Sequence, residues 1–222
     1  MKPQTRSIAR RRVLGGSIAA VAVLAFPALA SSRRALPAMT EGPFYPPLDY
    51  RARSLDWDAD LTTVMVGSSR TRTLARAAGE HLDLFGIVVD ADDRIVDDAE
   101  IEIWQCDAFS SYRHPRGGGA QVDEGFQGFG ATRSDRRGAY RFRTIRPVPY
   151  PGRTPHIHVK LRHPAFGELT SQLFVAGDPG NAGDMIYRRL GADERQLVNM
   201  KLQRAPAGSA VQWVAQHPLL VG

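Results

Sequence analysis

The sequence from residue 81 onward alternates short β-rich runs with turn-forming residues, and this alternation limits the folds open to the chain. The runs carry β-branched and aromatic side chains and end at turn signals such as Asp90–Asp93 and Ser134–Gly138. Seven such runs predict an all-β fold, a mostly antiparallel β-sandwich. The predicted strands are Leu82–Val89, Ala99–Cys106, Ala139–Ile145, His156–Arg162, Leu169–Ala176, Gln196–Gln203 and Val211–Val214.

Helical periodicity is scarce, so the fold is predicted to contain little helix. Asp184–Leu190 predicts one or two turns, and Leu74–Ala78 a shorter one. Leu36–Tyr50 contains four prolines and a glycine, which prevents regular structure and predicts an extended arm lying on another part of the molecule. We therefore divide the chain into an export segment (1–30), a Pro-rich arm with a polar connection (31–79) and a β-sandwich core (80–222).

Residues 1–30 have the features of an export signal. They hold five basic residues and no acidic one, and the uncharged run Val13–Ala30 ends in the small-x-small pattern Ala28-Leu29-Ala30. The basic triplet at residues 10–12 resembles a twin-arginine signal. We therefore expect export by the twin-arginine machinery to the periplasm or the medium. The alternative is an uncleaved anchor, because 18 uncharged residues reach the lower limit for spanning a bilayer.

The formal net charge of +6 comes largely from this first segment. The remaining residues contain 24 basic and 23 acidic side chains, which gives no electrostatic case for binding nucleic acid. The single cysteine, Cys106, excludes an internal disulfide and a Cys-based zinc site. Its side chain is expected to be a buried small hydrophobe. The sequence leaves a homo-oligomer open.

Two histidines in one predicted strand are the first indication of a metal site. Side chains alternate along a strand, so His156 and His158 point to one face while Ile157 points to the other. By itself such a pair is more often two half-exposed polar residues than a ligand set. Two tyrosines change that balance: Tyr150 lies between two prolines six residues before His156, and Tyr112 follows the Trp104 strand.

Two phenols and two imidazoles together favour one metal. A phenol titrates near pH 10, so only a strongly polarising cation keeps two tyrosinates at neutral pH. Hard anionic oxygen donors favour ferric iron over zinc or ferrous iron. The predicted cofactor is Fe(III), with a further coordination position open to substrate. Tyr140 and Tyr187 compete with Tyr112 and Tyr150 as ligands.

Four segments together resemble the intradiol ring-cleavage dioxygenases, the family of protocatechuate 3,4-dioxygenase and catechol 1,2-dioxygenase. The resemblance runs in order from about residue 40 to residue 190. The segments are Thr40–Tyr45, Ile103–Gln105 followed by Tyr112, Tyr140–Pro147, and Tyr150–His158.

The resemblance implies a role for each matching residue. The ferric ligands would be Tyr112, Tyr150, His156 and His158, and the catalytic residues Tyr150, Arg153 and Gln172. The implied reaction opens a catechol-type ring between its hydroxyls with O2 and gives a muconate-type diacid. Tyr150 would leave the metal and take a substrate proton, and Arg153 would stabilise the negative charge that develops on the ring.

Some features depart from the family pattern or leave alternatives open. Ser110 and Val148 stand where the family often has glycine, each two residues before a tyrosine, and the interval from Tyr150 to His156 is shorter than in protocatechuate dioxygenases. A substrate carboxylate would need a cation from among Arg113, Arg133 and Arg146. The alternative functions are an exported ferric-catecholate binding protein without turnover and a structural β-sandwich without metal.

Overall fold

The computed structural model describes residues 35–47, 57–68, 71–117 and 119–222, which form two five-stranded sheets and a separate hairpin. The predicted export signal lies outside these ranges. None of the helices within them has the length and apolar composition needed to cross a membrane. The strands are β1 Thr63–Val66, β2 Thr73–Arg76, β3 His81–Asp90, β4 Glu100–Trp104, β5 Phe129–Arg133, β6 Ala139–Ile145, β7 His156–His163, β8 Gly167–Val175, β9 Asn199–Met200, β10 Gln203–Arg204, β11 Trp213–Gln216 and β12 Leu219–Val221.

Within the two large sheets taken together, antiparallel strand pairs outnumber parallel ones. In the first, β3 pairs antiparallel with β6 and parallel with β11 and β12, and β10 pairs antiparallel with β11. In the second, the order is β5-β4-β7-β8-β9, and only the short β8–β9 pair is parallel. The all-β, mostly antiparallel fold with little helix that the sequence predicts is confirmed.

One hydrophobic cluster joins the inner faces of the two sheets. Leu82, Leu84 and Phe142 come from the first sheet, and Ile157 and Val159 from the second; each is at most 1% exposed. Strand β7 reads His-Ile-His-Val-Lys-Leu-Arg-His, so its aliphatic residues fill this core while its polar residues face the other way. The histidine pair is therefore held on the outer face of a fully paired central strand.

Within the described ranges the helices lie in the C-terminal half. They are a 3-10 helix at Pro179–Ala182 and two short α-helices, of which the second corrects a predicted strand. A short helix, α1 (Met185–Arg188), begins after Asp184, as the sequence predicts. A second helix, α2 (Ala192–Val198), occupies the start of the predicted strand Gln196–Gln203. The side chain of Glu194 accepts the free N–H of Gly191 at 2.7 Å, and acidic residues in the first turn suit the helix dipole.

Four strands of the described ranges, β1, β2, β5 and β12, lie where the sequence predicted no strand. The predicted helical turn at Leu74–Ala78 is wrong, because Thr73–Arg76 forms β2 and pairs antiparallel with β1. Phe129–Arg133 (β5) and Leu219–Val221 (β12) complete the edges of the two sheets. The predicted strand Val211–Val214 begins and ends two residues later, at Trp213–Gln216.

The arm, which we define as residues 35–47, lies across strands from both sheets without forming a strand. Its backbone donates from Leu36 to Leu220 at 2.9 Å and from Met39 to Thr170 at 2.8 Å. The hydroxyl of Ser171 donates to the Pro37 carbonyl at 2.8 Å. The first bond ties the arm to β12, and the other two hold residues 37–39 beside β8. The arm then continues over the outer face of the second sheet.

Candidate metal centre

Strand β7 places the two predicted histidine ligands side by side and buries both. His156 and His158 are each 2% exposed, and their Nε2 atoms lie 3.2 Å apart. His156 donates Nδ1–H to the Thr154 carbonyl at 2.6 Å, because a carbonyl can only accept. This bond fixes the Nδ1–H tautomer of His156 and leaves its Nε2 atom available to a metal, an arrangement typical of metal-binding histidines.

Burial keeps both imidazoles in the neutral form that binds a metal. It lowers the pKa of His156 to about 4, and the nearby Arg153 guanidinium acts in the same direction. Burial, His156 and Arg153 together lower the pKa of His158 well below its usual value. The His158 ring also stacks on Trp104, with centroids 4.7 Å apart and planes 10° apart. The pair is therefore held rigidly, and both imidazoles are neutral at neutral pH, which is the form that a metal binds.

Tyr112 is held in the loop after β4 and turned inward. Its N–H donates to the Gly117 carbonyl at 2.9 Å, and its ring stacks on Phe44 with centroids 4.5 Å apart. The Tyr112 hydroxyl is buried and has no hydrogen-bond partner among the residues described. Burial raises its pKa well above the usual value, and neighbouring Cys106 and Tyr150 add to that effect. An unpartnered buried phenol is costly, and a bound cation would satisfy it.

Tyr150 reaches the same place from a tight turn. Pro151 and Gly152 form its central residues: Gly152 has φ +81°, and Arg153 N–H donates to the Tyr150 carbonyl at 2.9 Å. Proline then glycine is the pairing that a type II turn favours. The Tyr150 ring lies 5.4 Å from that of Tyr112 and 5.6 Å from that of His156, centroid to centroid. The turn therefore presents Tyr150 and Arg153 together.

The two competing tyrosines are engaged elsewhere. Tyr140 donates its hydroxyl to the His217 carbonyl at 2.6 Å, and Tyr187 donates to the side chain of Asn199 at 3.1 Å. Both bonds lie outside the cluster of His156, His158 and the two inward-facing tyrosines. The structure thus separates tyrosines that serve packing from those that face the histidines.

The donor set of this cluster fits ferric iron. Within the described ranges, no group of three or more His, Cys, Asp or Glu side chains could hold a metal ion. A metal at the histidine pair would therefore need the tyrosines as its remaining protein ligands. Two phenolates are hard anionic donors, which suit Fe(III). The residues that would hold it are Tyr112, Tyr150, His156 and His158.

Arg153 and Gln172 lie against the cluster and bond to each other. The guanidinium donates from Nη2 to Gln172 Oε1 at 2.6 Å and from Nε to Asp184 Oδ2 at 2.7 Å. Its Nη1 lies 3.4 Å from the Tyr150 hydroxyl. Gln172 donates Nε2 to the Thr40 carbonyl at 3.2 Å, so its amide oxygen is left to face Arg153.

The arm forms a wall of the site that the sequence argument did not assign. Gly42 has φ +72°, and a β-carbon there would lie 3.5 Å from His158 Cε1. Phe44 covers Tyr112, and the Thr40 carbonyl fixes Gln172. The Thr40–Tyr45 segment was notable in the sequence, yet nothing local in it shows which residues it would cover.

A charged network fastens the arm to the outer face of the second sheet. Lys160, which is 3% exposed, pairs with Glu41 and sits 4.1 Å from the Tyr45 ring centroid. The Tyr45 hydroxyl donates to Glu102 at 2.7 Å and accepts from Arg162 at 3.0 Å. Because Lys160 and Glu102 are buried, these contacts are worth more than surface pairs.

The candidate carboxylate-binding arginines are differently placed. Arg146 pairs with Glu80 at 3.0 Å, and Arg133 pairs with Asp98 at 3.0 Å. Arg113, next to Tyr112 in the chain, donates to the Gln127 carbonyl at 3.5 Å. Arg133 and Arg146 are thus engaged in ion pairs with other side chains.

Cys106 packs behind Tyr112 in a cluster with Trp104 and Phe129. Its thiol lies 3.5 Å from the Val148 carbonyl. Burial and the neighbouring Asp107 raise its pKa to about 12, so the thiol stays protonated and inert.

Comparison with known proteins gives a consistent result. A family model described as "Dioxygenase" matches residues 60–215. The β chain of protocatechuate 3,4-dioxygenase from Burkholderia cepacia is 33% identical over 144 residues, 60% of this chain and 61% of that one. Catechol 1,2-dioxygenase from Acinetobacter baylyi is 32% identical over 143 residues, 55% of this chain and 44% of that one. The chain thus spans between about two fifths and three fifths of these curated relatives.

Solved structures share the architecture. The dioxygenase domain of a dioxygenase carbohydrate-binding protein fusion from Streptomyces sp. SirexAA-E is 26% identical, with a TM-score of 0.59, covering 85% of this chain and 98% of that domain. Hydroxyquinol 1,2-dioxygenase from Pseudomonas putida DLL-E4 is 20% identical with a TM-score of 0.61, covering 86% of this chain and 67% of that one; at that identity the likeness shows the fold alone. The arm lies outside the matched range 60–215.

Proposed function

Because the chain belongs to the intradiol ring-cleavage dioxygenase family, we propose that it opens a catechol-type ring between its two hydroxyls with O2. The product is a muconate-type diacid, which takes up both oxygen atoms, so no external reductant is needed. The proposed cofactor is a ferric ion held by Tyr112, Tyr150, His156 and His158. The observation that carries the proposal is the approach of two neutral, buried imidazole nitrogens to 3.2 Å beside two inward-facing tyrosines.

The chemistry divides between the metal and the chain. When bound, the ferric ion acts as a Lewis acid that favours the diol in its dianionic form and makes the ring reactive toward O2. The Tyr150 phenolate accepts the proton of one substrate hydroxyl at its own oxygen, and a solvent hydroxide accepts the proton of the other. Arg153 Nη1, 3.4 Å from the Tyr150 oxygen, stabilises negative charge there and on the ring. Phe44 excludes water from the side of the site next to Tyr112, and Trp104 excludes it from the side next to His158.

Oxygen uptake by iron-loaded protein tests the proposal. The substrate panel is catechol, protocatechuate, hydroxyquinol and bulkier diols, since the relatives' names span the first three. We expect uptake of one O2 per ring opened. His158→Ala should lose both iron and turnover, whereas His163→Ala, at the end of the same strand and outside the cluster, should keep both. Iron-loaded protein that consumes no O2 with any diol contradicts the enzyme; a lasting coloured complex in air would instead indicate a ferric-catecholate carrier.

We also propose that residues 1–30 direct export through the twin-arginine route. This route carries folded protein, which suits a cofactor inserted before export. Replacing Arg10, Arg11 and Arg12 by lysine should leave full-length precursor inside the cell. Cell fractionation and immunoblotting measure this, and normal export of the triple variant would contradict the assignment.

A further inference from the structure

A buried carboxylate behind the catalytic arginine makes four hydrogen bonds, divided between its two oxygens. Asp184 Oδ1 accepts the N–H groups of Ile186 and Tyr187 at 2.9 and 3.0 Å and so caps α1. Asp184 Oδ2 accepts Arg153 Nε at 2.7 Å and the Thr154 N–H at 3.0 Å. Oδ1 thus caps the N-terminus of α1, and Oδ2 holds the segment that leads into β7.

Helix capping alone does not account for this arrangement. A neutral Ser or Asn caps a helix about as well as Asp, and α1 has only four residues. The Asp184 side chain is 0% exposed and that of Arg153 14% exposed, so their charged pair is strongly shielded from water. Burial by itself would raise the pKa of Asp184, but N–H groups of Tyr187 and Thr154 and the Arg153 guanidinium outweigh it and lower the pKa. The carboxylate is therefore ionised and strongly bonded.

The bond to Asp184 determines which nitrogen of Arg153 faces the reacting groups. Asp184 holds Nε on one side, and Gln172 holds Nη2 at 2.6 Å on another. A guanidinium is planar, so fixing Nε and Nη2 fixes the plane. Nη1 is then the nitrogen directed toward the Tyr150 hydroxyl.

The same carboxylate also supports a histidine of the cluster through one residue. Thr154 gives its N–H to Asp184 and its carbonyl to His156 Nδ1–H, at 3.0 and 2.6 Å. The backbone on both sides of Thr154 is therefore fixed. This support is indirect, because Asp184 bonds Thr154 and not the histidine itself, whereas its bond to Arg153 is direct.

We propose that Asp184 is a positioning residue for the ring-opening reaction, acting through Arg153. This inference rests on the proposed function. Without the carboxylate, the guanidinium keeps its charge but is no longer aimed at Tyr150 and the bound ring. Asp184 itself touches neither substrate nor metal.

Asp184→Asn tests the inference. The Asn oxygen can still cap α1, but its NH2 group then faces Arg153 Nε and the Thr154 N–H, donor against donor. In iron-loaded protein with catechol, we expect turnover per bound iron to fall about 10–100-fold, while KM changes less than about threefold. Asp178→Asn is the matched control: Asp178 caps the preceding 3-10 helix, bonding Gly180 N–H at 2.8 Å and Thr154 Oγ1 at 3.4 Å, and has no bond to Arg153 among the described residues. It should change turnover less than about twofold.

A double-mutant cycle separates positioning from general structural support. In an Arg153→Ala background, Asp184→Asn should reduce turnover per bound iron by at most about threefold, far less than in the parent, because only its bond to the Thr154 N–H is then left to lose. A second readout needs no turnover: Arg153→Ala and Asp184→Asn should shift the visible tyrosinate–iron band in the same direction, and the double variant no further. Should Asp184→Asn fold poorly, Asp184→Ser keeps a helix cap and is too short to hold Arg153.

The outcomes distinguish the two proposals. A parent protein that binds no iron, or that turns over no diol, contradicts the proposed function. An active parent in which Asp184→Asn behaves like Asp178→Asn overturns the positioning role alone. Equal losses from Asp184→Asn with and without Arg153 also overturn it, because the effect would not pass through the guanidinium.

Discussion

Tyr112 and Tyr150 have different surroundings, and this difference makes them chemically unequal. Tyr112 is buried under Phe44, and its hydroxyl has no hydrogen-bond partner within the described part of the chain. Tyr150 is half-buried at the first position of a turn, with Arg153 Nη1 3.4 Å from its hydroxyl. A phenolate beside a cation can leave a metal and still be stabilised. Tyr150 is therefore suited to exchange with substrate, and Tyr112 to remain.

Phenylalanine variants of the two tyrosines should separate these roles. Tyr112→Phe removes the permanent anionic donor, so iron content and visible absorbance should both fall. Tyr150→Phe should keep most of the iron and the colour but lose roughly 10²–10⁴-fold in turnover, since the substrate's proton acceptor is gone. Metal analysis, visible spectra and oxygen uptake on the purified variants measure this. Two variants that match the parent in all three would show that these side chains only pack.

Ser110 adopts a backbone conformation that glycine adopts without strain. Its φ is +65°, in the left-handed region that costs a residue with a β-carbon about 1 kcal/mol. Its hydroxyl donates to the Pro149 carbonyl at 2.7 Å, which ties the loop before Tyr112 to the loop before Tyr150. The serine thus compensates for its conformation with a bond that glycine lacks.

Two substitutions at Ser110 should therefore differ in stability. Ser110→Gly loses the hydrogen bond but relieves the strain, so the free energy of unfolding should stay within about 0.5 kcal/mol of the parent. Ser110→Ala loses the bond and keeps the strain, so it should destabilise by about 1 kcal/mol. Urea titration of both variants is the measurement. Equal destabilisation by Gly and Ala would mean that the hydroxyl alone matters.

The contact between the arm and the Tyr112 loop is hard to predict from sequence but simple to test. Phe44→Ala removes the ring that covers Tyr112, and an aromatic pair contributes about 0.5–1.5 kcal/mol beyond its buried area. Amide hydrogens of residues 36–45 should then exchange roughly 2–10-fold faster, while those of β3 stay unchanged. Hydrogen exchange read by mass spectrometry measures this. Phe109→Ala is the control, because Phe109 is an exposed phenylalanine of the Tyr112 loop; similar acceleration in both variants would contradict the arm contact.

Strands with strong local signals could be predicted from sequence, and long-range contacts could not. The alternation in β7 and the run Ala139–Ile145 match the structure closely. The segment Gln196–Gln203 alternates apolar residues like a strand, but capping at Gly191 starts a helix there instead. Strand β5 was missed because Gly130 interrupts it; a β-carbon at that position would lie 2.2 Å from the Asp58 carbonyl oxygen.

The candidate site was predictable to the extent that its residues carry chemistry of their own. The two histidines are marked by their spacing in one strand and the two tyrosines by their residue type, whereas Arg153 is marked only by the resemblance to the family. Thr40 contributes only a carbonyl, to a side chain 132 positions away, and every residue has a carbonyl. Asp184 was visible as the start of a short helix, but its second oxygen's bond to Arg153 depends on the folded chain.

Stability of the whole metal-free protein should depend on pH through a histidine far from the cluster. His217 is 5% exposed, and its Nε2 has no hydrogen-bond partner among the residues described. Burial lowers its pKa from 6.5 to about 4, although a backbone bond to Leu197 opposes the shift. The unfolded chain therefore binds a proton that the folded one refuses. Stability is complete above about pH 6.5 and is lost as the pH falls toward 4.

His217→Phe should remove this part of the pH dependence. Between pH 7 and pH 5 the parent's free energy of unfolding should fall by about 2 kcal/mol more than that of the variant. The residual fall in the variant belongs to the other buried histidines, His156 and His158, whose pKa values burial also lowers. Urea unfolding at the two pH values gives the comparison, and identical pH dependence in both proteins would contradict a neutral buried His217.

The two faces of β7 have a consequence for how such a protein can diverge. Ile157, Val159 and Leu161 fill the core, while His156, His158 and Lys160 face the arm and the cluster. Substitutions on the outer face can alter reactivity without disturbing the apolar core. Substitutions on the inner face can change stability without moving the reacting groups. Lineages descended from one ancestor could therefore change what they consume while keeping the same scaffold.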